Sequence, residues 1–305
     1  MEGLQANALL GCVATKRSGM AMNATTVLVM PKRFSTARGR EFGDGLRAAI
    51  AATGMTSRAV ADLVDWQEAK LSDLVNGKGG ATELELALLL GTCRTPAPER
   101  DHLMTLFRAT NVKGWLQEHG AAEPIQPRTL VHHEAIAKTL ISWLPLLVHG
   151  TLQIPDYARA VIAANANVPD DEIEERVAAR VARKEALRPG LKATFFIHES
   201  VLRTPVGGEE VMRAQLRHLS KVSMRPNVVI RVVPTSIGAH AGHSGGFNLM
   251  RFHKIEPVVF VESENASLII EAPLPIKSYD AVVESLGRTA LDEEQSRSLI
   301  NDIAG

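Results

Sequence analysis

Three groups of residues in this chain have the types and spacing to do chemistry. Gln67, Glu68, Lys70 and Asp73 fall on the outward side of one short helix whose inward side is Leu71 and Leu74. Such side chains suit base-edge recognition: Lys70 reaches guanine or phosphate, Gln67 pairs with adenine, and Glu68 accepts from cytosine. Arg40, Arg58, Asn76 and Lys78 flank that run and are expected on backbone phosphates, where they fix the register on the duplex. The second group is the loop Gly238-Ala-His-Ala-Gly-His-Ser-Gly-Gly246. Its glycines let backbone N–H groups cradle an anion, and His240 and His243 are candidate metal ligands, with His198, Glu199, His253 or Glu262 to complete a shell. A H-x-x-H in a loop lacks the preorganisation of a helical pair, so the plainer reading is a strand connection packed on a sheet or a partner. The third group is Arg176, Arg180 and Arg183, which share a helix face by their i+4 and i+3 spacing. They suit an anion or a partner's carboxylate, although Glu172, four before Arg176, also fits a solvated, self-paired face. No phosphate-binding, nucleophile-elbow or dinucleotide fingerprint occurs. The residues therefore predict no catalytic set, no cofactor and no resident metal.

These groups need elements to hold them. Phe42, Leu46 and Ile50 make one apolar helix face that ends at Gly54. Thr56 caps a second helix with Val60, Leu63 and Val64 inward, and a turn at Val64-Asp65-Trp66 leads into the third, closed by Asn76-Gly77. Two short helices joined by a tight turn, with small Ala61 where they touch, are the geometry of a helix-turn-helix. Helices over Glu83–Leu90 and Glu99–Ala109 complete a five-helix module. Glycines and prolines at 110–128 read as a hinge. Helix is expected from Leu130 to Trp143, again over Pro155–Ala164, and as a long charged helix over Asp170–Leu187. Beyond Pro189 the period changes to short strands at Thr194–His198, Val228–Val233, Phe247–Phe252, Val258–Glu262 and Leu268–Glu271. A helix over Glu209–Ser223 lies between the first two, and helices at 278–290 and 292–303 end the chain. The expected architecture is an α-helical helix-turn-helix domain at 38–118, then a helical linker and α+β domain at 119–305. Residues 1–37, with Met20, Met22 and Met30 as alternative starts, read as a mobile tail.

Composition narrows the classes. The 305 residues carry 34 Lys plus Arg against 34 Asp plus Glu, which excludes a strongly basic nucleic-acid tail. Between Pro31 and Gly80 eight basic residues face six acidic ones, a weak local attraction for phosphate. Cys12 and Cys93 build no disulfide framework, and the apolar stretch at 140–148 is far short of the ~20 residues of a membrane helix. A reducing cytoplasm is expected, with no membrane partner. Trp115 and Trp143 are expected to pack between helices, Leu140, Leu144, Leu147 and Val148 to form interdomain or dimer core, and His132, His133 and His218 to be surface or capping residues.

The stretch MTSRAVADLVDWQEAKLSDLVNGK resembles the xenobiotic-response-element type of helix-turn-helix. Asp65 departs from its usual turn glycine, Asp73 from an arginine and Val75 from a glutamate. LQIPDYARAVI, RVAARVARKEAL, HESVLRTPVGGEEVMRAQLRHL and NVVIRVVPTSIGAHAGHSGGFNLMRF, in that order, resemble actinobacterial antitoxin-like regulators that join such a module to a carboxyl-terminal domain of unknown function. His149-Gly150-Thr151 departs from their Pro-Gly-Leu. The resemblance implies a transcriptional regulator of double-stranded DNA, often paired with a small acidic protein from a neighbouring gene. It supplies no ligand or catalytic residue. The expected protein is a homodimer whose carboxyl domain receives that partner or a ligand, through Arg180 and Arg183, the loop at His240 and His243, and an unpaired strand edge at 258–262. A protein-interaction module with weak DNA binding is the alternative, and a metal-dependent enzyme a more distant one.

Overall fold

Thr36 accepts a hydrogen bond from the Gly39 amide at 3.1 Å and starts α1 (Ala37–Ala52). The computed structural model describes residues 36–77, 79–109, 115–118, 128–253, 255–263 and 266–305; the expected tail and Lys78 lie outside them, apart from Thr36 and Ala37. α2 (Ser57–Leu63) is capped by Thr56, and α3 (Glu68–Val75), α4 (Glu83–Thr92) and α5 (Ala97–Ala109) follow. Thr82 and Glu85 form a reciprocal capping box on α4, satisfying two amides that a helix start otherwise leaves unpaired. Phe42, Leu46, Ile50, Val60, Trp66, Leu71, Leu74, Leu89 and Leu103 share one core. Leu63, expected inside, is 61% exposed: Val60, Ala61 and Val64 face the core at i, i+1 and i+4, which turns position 63 outward.

The remaining described residues build one seven-stranded mixed sheet in the order β1-β7-β6-β5-β2-β3-β4. These are β1 (Trp115–Glu118), β2 (Thr139–Leu144), β3 (Lys192–His198), β4 (Val228–Val233), β5 (Phe247–Arg251), β6 (Val258–Glu262) and β7 (Ala266–Ile270). Helix α6 (Arg128–Ile136) precedes β2; α7 (Pro155–Ala163) and α8 (Ile173–Ala182) cross from β2 to β3; α9 (Glu199–Arg203) and α10 (Glu209–Val222) cross from β3 to β4. Strands β2, β3 and β4 are parallel, as such helical crossovers require. All other pairings are antiparallel. Helices α11 (Pro273–Thr289) and α12 (Glu293–Ala304) end the chain.

One sheet face packs Phe195, Ile230, Val232, Met250 and Phe260 against Leu216 and Leu219 of α10 and Ile300 of α12. The other packs Trp143, Phe196, Leu249 and Val259 against Ile276 and Leu286 of α11. Each fully buried side chain of this kind contributes about 1.5–3 kcal/mol of transfer free energy.

Four expectations are corrected. Residues 139–144 are a strand, not the end of a helix, because β2 lies between β3 and β5 and is buried on both faces, which hides the period-2 signal. Trp143 accordingly packs in a sheet face. Residues 115–118, inside the presumed hinge and inside the range assigned to the module, pair with β7. The strand at 258–262 is not an edge, since β5 and β7 flank it. The β4 edge is covered: Val232 donates to Ser296 Oγ at 2.9 Å and its carbonyl accepts from Leu291 at 2.8 Å, which removes a free ladder.

Candidate nucleic-acid interface

Helix α3 is held by its inward face and by a close approach to α1. A Cβ on Gly43 would lie 2.1 Å from the Val75 carbonyl oxygen, so only glycine lets α1 cross the end of α3. The turn before α3 closes through the Ala61 carbonyl, which accepts from Val64 at 3.2 Å and Trp66 at 2.9 Å. Asp65 takes φ 55° there, the left-handed conformation that aspartate tolerates better than most residues. Its departure from glycine is thus a departure in residue type, not in backbone.

Gln67, Glu68, Ser72, Asp73 and Asn76 are exposed on α3, and Arg58 is exposed on α2. Asn76 donates from Nδ2 to the Ser72 carbonyl at 2.7 Å and so also closes the helix. Lys70 is not a free reading side chain. Its Nζ bonds Glu85 Oε1 and sits 4.4 Å from the centre of the Trp66 ring, tying α3 to α4. Arg40 is only 8% exposed and pairs with Glu271 at 3.5 Å, so burial denies it the expected phosphate contact.

Helix α6 carries the contacts from the module to the sheet. His132 Nε2 lies 3.0 Å from Asp44 Oδ2 on α1. The neighbouring His132 and Arg47 hold the Asp44 carboxyl down to about 2. His133, expected as a surface or capping residue, is fully buried and donates from Nδ1 to the Thr129 carbonyl at 2.6 Å; burial lowers its pKa to about 4. Next to it, Glu134 is 1% exposed and receives Arg183 Nε at 3.0 Å and Nη2 at 2.6 Å. Burial alone would lower the Arg183 pKa, but Glu134 outweighs it and raises it.

The arginine face therefore divides. Arg176 pairs with Glu172 as the spacing expects, Arg183 is locked inside, and Arg180 donates from Nη1 to Gln153 Oε1 at 3.3 Å. Arg180 and Arg183 are in no position to steer a partner from the surface. Instead they line a cavity of about 470 Å³ with His149, Gln153, His243 and Asn248. Sequence reasoning did not assign His149, Gln153 or Asn248 to a site, although His149 stands where the related regulators have proline; the other two gave only the signal of polar residues beside buried strands.

The glycine loop is pinned. Trp143 Nε1 donates to the Gly242 carbonyl at 2.9 Å, and a Cβ on Gly242 would lie 2.5 Å from the indole ring. His240 accepts the Gly242 amide on Nδ1 at 3.1 Å, and its ring centre lies 4.2 Å from that of His243. Among the described residues no three His, Cys, Asp or Glu side chains are placed to hold a metal ion, and no helix is long and apolar enough to cross a membrane.

Residues 127–302 match the family described as Domain of unknown function (DUF5753), and residues 41–103 match a helix-turn-helix domain. The solved structure of TrmBL2, an archaeal chromatin protein described as showing a novel mode of DNA binding, aligns with 82% of this chain and 93% of its own. Identity is 11% and the TM-score 0.28, too low to indicate a shared fold. No curated protein gives a significant match.

Proposed function

The chain belongs to the DUF5753 family, preceded by a helix-turn-helix domain, and from this premise we propose a sequence-specific, DNA-binding transcriptional regulator whose carboxyl-terminal domain receives a ligand or partner. The carrying observation is α3, which buries Leu71 and Leu74 while presenting Gln67, Glu68 and Asn76 outward. In this reading Gln67 and Glu68 meet base edges, and Arg58 meets phosphate. Lys70 contributes by bracing α3 on Glu85. One module makes few contacts, so the reading includes a homodimer on half-sites about 34 Å apart. The resemblance noted in the sequence supports a small acidic protein as an added partner.

A second reading, a protein-interaction module with weak DNA binding, is favoured by one observation. The reading helix exposes Glu68 and Asp73, and its lysine is neutralised by Glu85. Genome-wide DNA pull-down with the full chain separates the two. The regulator enriches discrete sites, and Gln67→Ala with Arg58→Ala abolishes enrichment while circular dichroism stays unchanged. Enrichment that is uniform, or indifferent to both substitutions, refutes the DNA-reading assignment.

A further inference from the structure

The cavity lies at the carboxyl end of β2, where the strand order reverses: β3 and β4 follow on one side, and β5, β6 and β7 on the other. Crevices outside strand ends at such reversals are where open α/β sheets hold ligands, and the volume is within the range of small-molecule sites. Its apolar lining includes Leu144, Pro145, Leu147 and Phe260.

The rest of the lining is largely polar and unbalanced in charge. Arg183 is neutralised by Glu134. Arg180 has only the neutral Gln153 as a direct partner, and its buried Nε has no hydrogen-bond acceptor among the described residues. Burial and then Arg183 lower the Arg180 pKa to about 10, which still leaves it charged at neutral pH. Glu262, the one carboxylate among the lining residues, is exposed; its charge favours the charged form of both guanidiniums, but it makes no ion pair with either. His149 adds no charge, since burial and then Arg183 push its pKa well down. Its Nδ1 accepts the Thr151 amide at 3.2 Å, so Nε2 carries the proton and donates to Asn248 Oδ1 at 3.2 Å. That leaves the Asn248 Nδ2 amide as a donor on a second lining residue.

A poorly compensated cation away from water is costly, and here two guanidiniums line the cavity while the buried Glu134 pairs with only one of them. The complement is a single negative charge, which favours a carboxylate over a dianionic phosphate. A planar carboxylate also matches the guanidinium fork. We propose that this cavity binds a small amphipathic monocarboxylate, its head met by Arg180 and Asn248 and its apolar body by Leu144 and Phe260. Binding itself is independent of the regulatory reading. Its consequence for DNA rests on that reading, through Arg183 to Glu134 and along α6 to His132 and Asp44 of α1.

The test titrates the full chain with octanoate and phenylacetate, using octanamide, octanol and inorganic phosphate as controls, by thermal shift and calorimetry. A saturable rise in Tm with a carboxylate, absent with the amide, alcohol and phosphate, is expected. Arg180→Met should weaken that binding at least tenfold while the free protein melts no lower than the parent. Asn248→Asp should weaken it as well, because it sets a carboxylate where the ligand's belongs. No shift with either carboxylate, an equal shift with octanamide, or undiminished binding by both variants overturns the proposal. Wild-type DNA retention is measured without ligand in parallel, so loss of DNA binding condemns the regulatory reading alone.

Discussion

Replacing Glu134 by Gln removes one charge from the most deeply buried ion pair among the described residues. Glu134 and Arg183 have side-chain exposures of 1% and 7%, and two hydrogen bonds join them at 2.6 and 3.0 Å. Gln keeps the shape and one acceptor, so the variant isolates the charge and one hydrogen bond. An uncompensated buried guanidinium costs about 3–5 kcal/mol, a large part of a typical stability of about 5–15 kcal/mol. At roughly 2–4 °C per kcal/mol for a chain of this size, Tm should fall by about 6–20 °C. The measurement is urea and thermal denaturation of the full chain, followed by far-ultraviolet circular dichroism. The pair's net value is read from Glu134→Met combined with Arg183→Met, which should recover most of the loss because both desolvation penalties vanish together. A Gln variant within about 1 kcal/mol of the parent, or a double variant no better than the single, refutes the argument that the pair holds by mutual neutralisation.

Three further outcomes are expected. His133 is neutral when folded, with a pKa near 4 instead of 6.5, so the unfolded chain binds the extra proton between those values. The His133 contribution to stability should be full above about pH 6.5 and be lost, by about 3 kcal/mol, on the way to pH 4. His133→Phe should flatten that stretch of the pH–stability curve, and an unchanged slope would exclude His133 as its source. Asp65→Gly should stabilise the module by up to about 1 kcal/mol, since φ 55° is free of strain for glycine, and should tighten binding to random duplex DNA at low salt. A loss of stability on denaturation would show that the aspartate side chain matters more than the turn. Gly242→Ala should cost about 1–3 kcal/mol through overpacking against Trp143, with a changed indole emission; a parent-like melt and spectrum would mean that the loop yields freely.

What the residues determined by themselves was the amino-terminal module. Its helices are local, its caps at Thr56 and Thr82 are short-range, and its apolar positions recur at 3.6 residues, so Phe42, Leu46, Leu71 and Leu74 pointed inward without knowledge of neighbours. Most strands beyond Pro189 were legible for a similar reason, as runs of β-branched residues between turns. Strand β2 was not. A central strand buried on both faces has no polar face to betray its period, and Leu140, Leu144 and Leu147 mimic a helix stripe. Which strand forms an edge is likewise set by partners distant in sequence, which is why 258–262 looked open and is enclosed. The arginines show the same division. Their shared face followed from spacing alone, yet only tertiary packing decided that Arg176 meets Glu172 near the surface, that Arg183 is neutralised by Glu134, 49 residues away, and that Arg180 keeps its charge beside a cavity. Burial converts a charge from a solvated ornament into a binding determinant, and burial is a property of the folded chain.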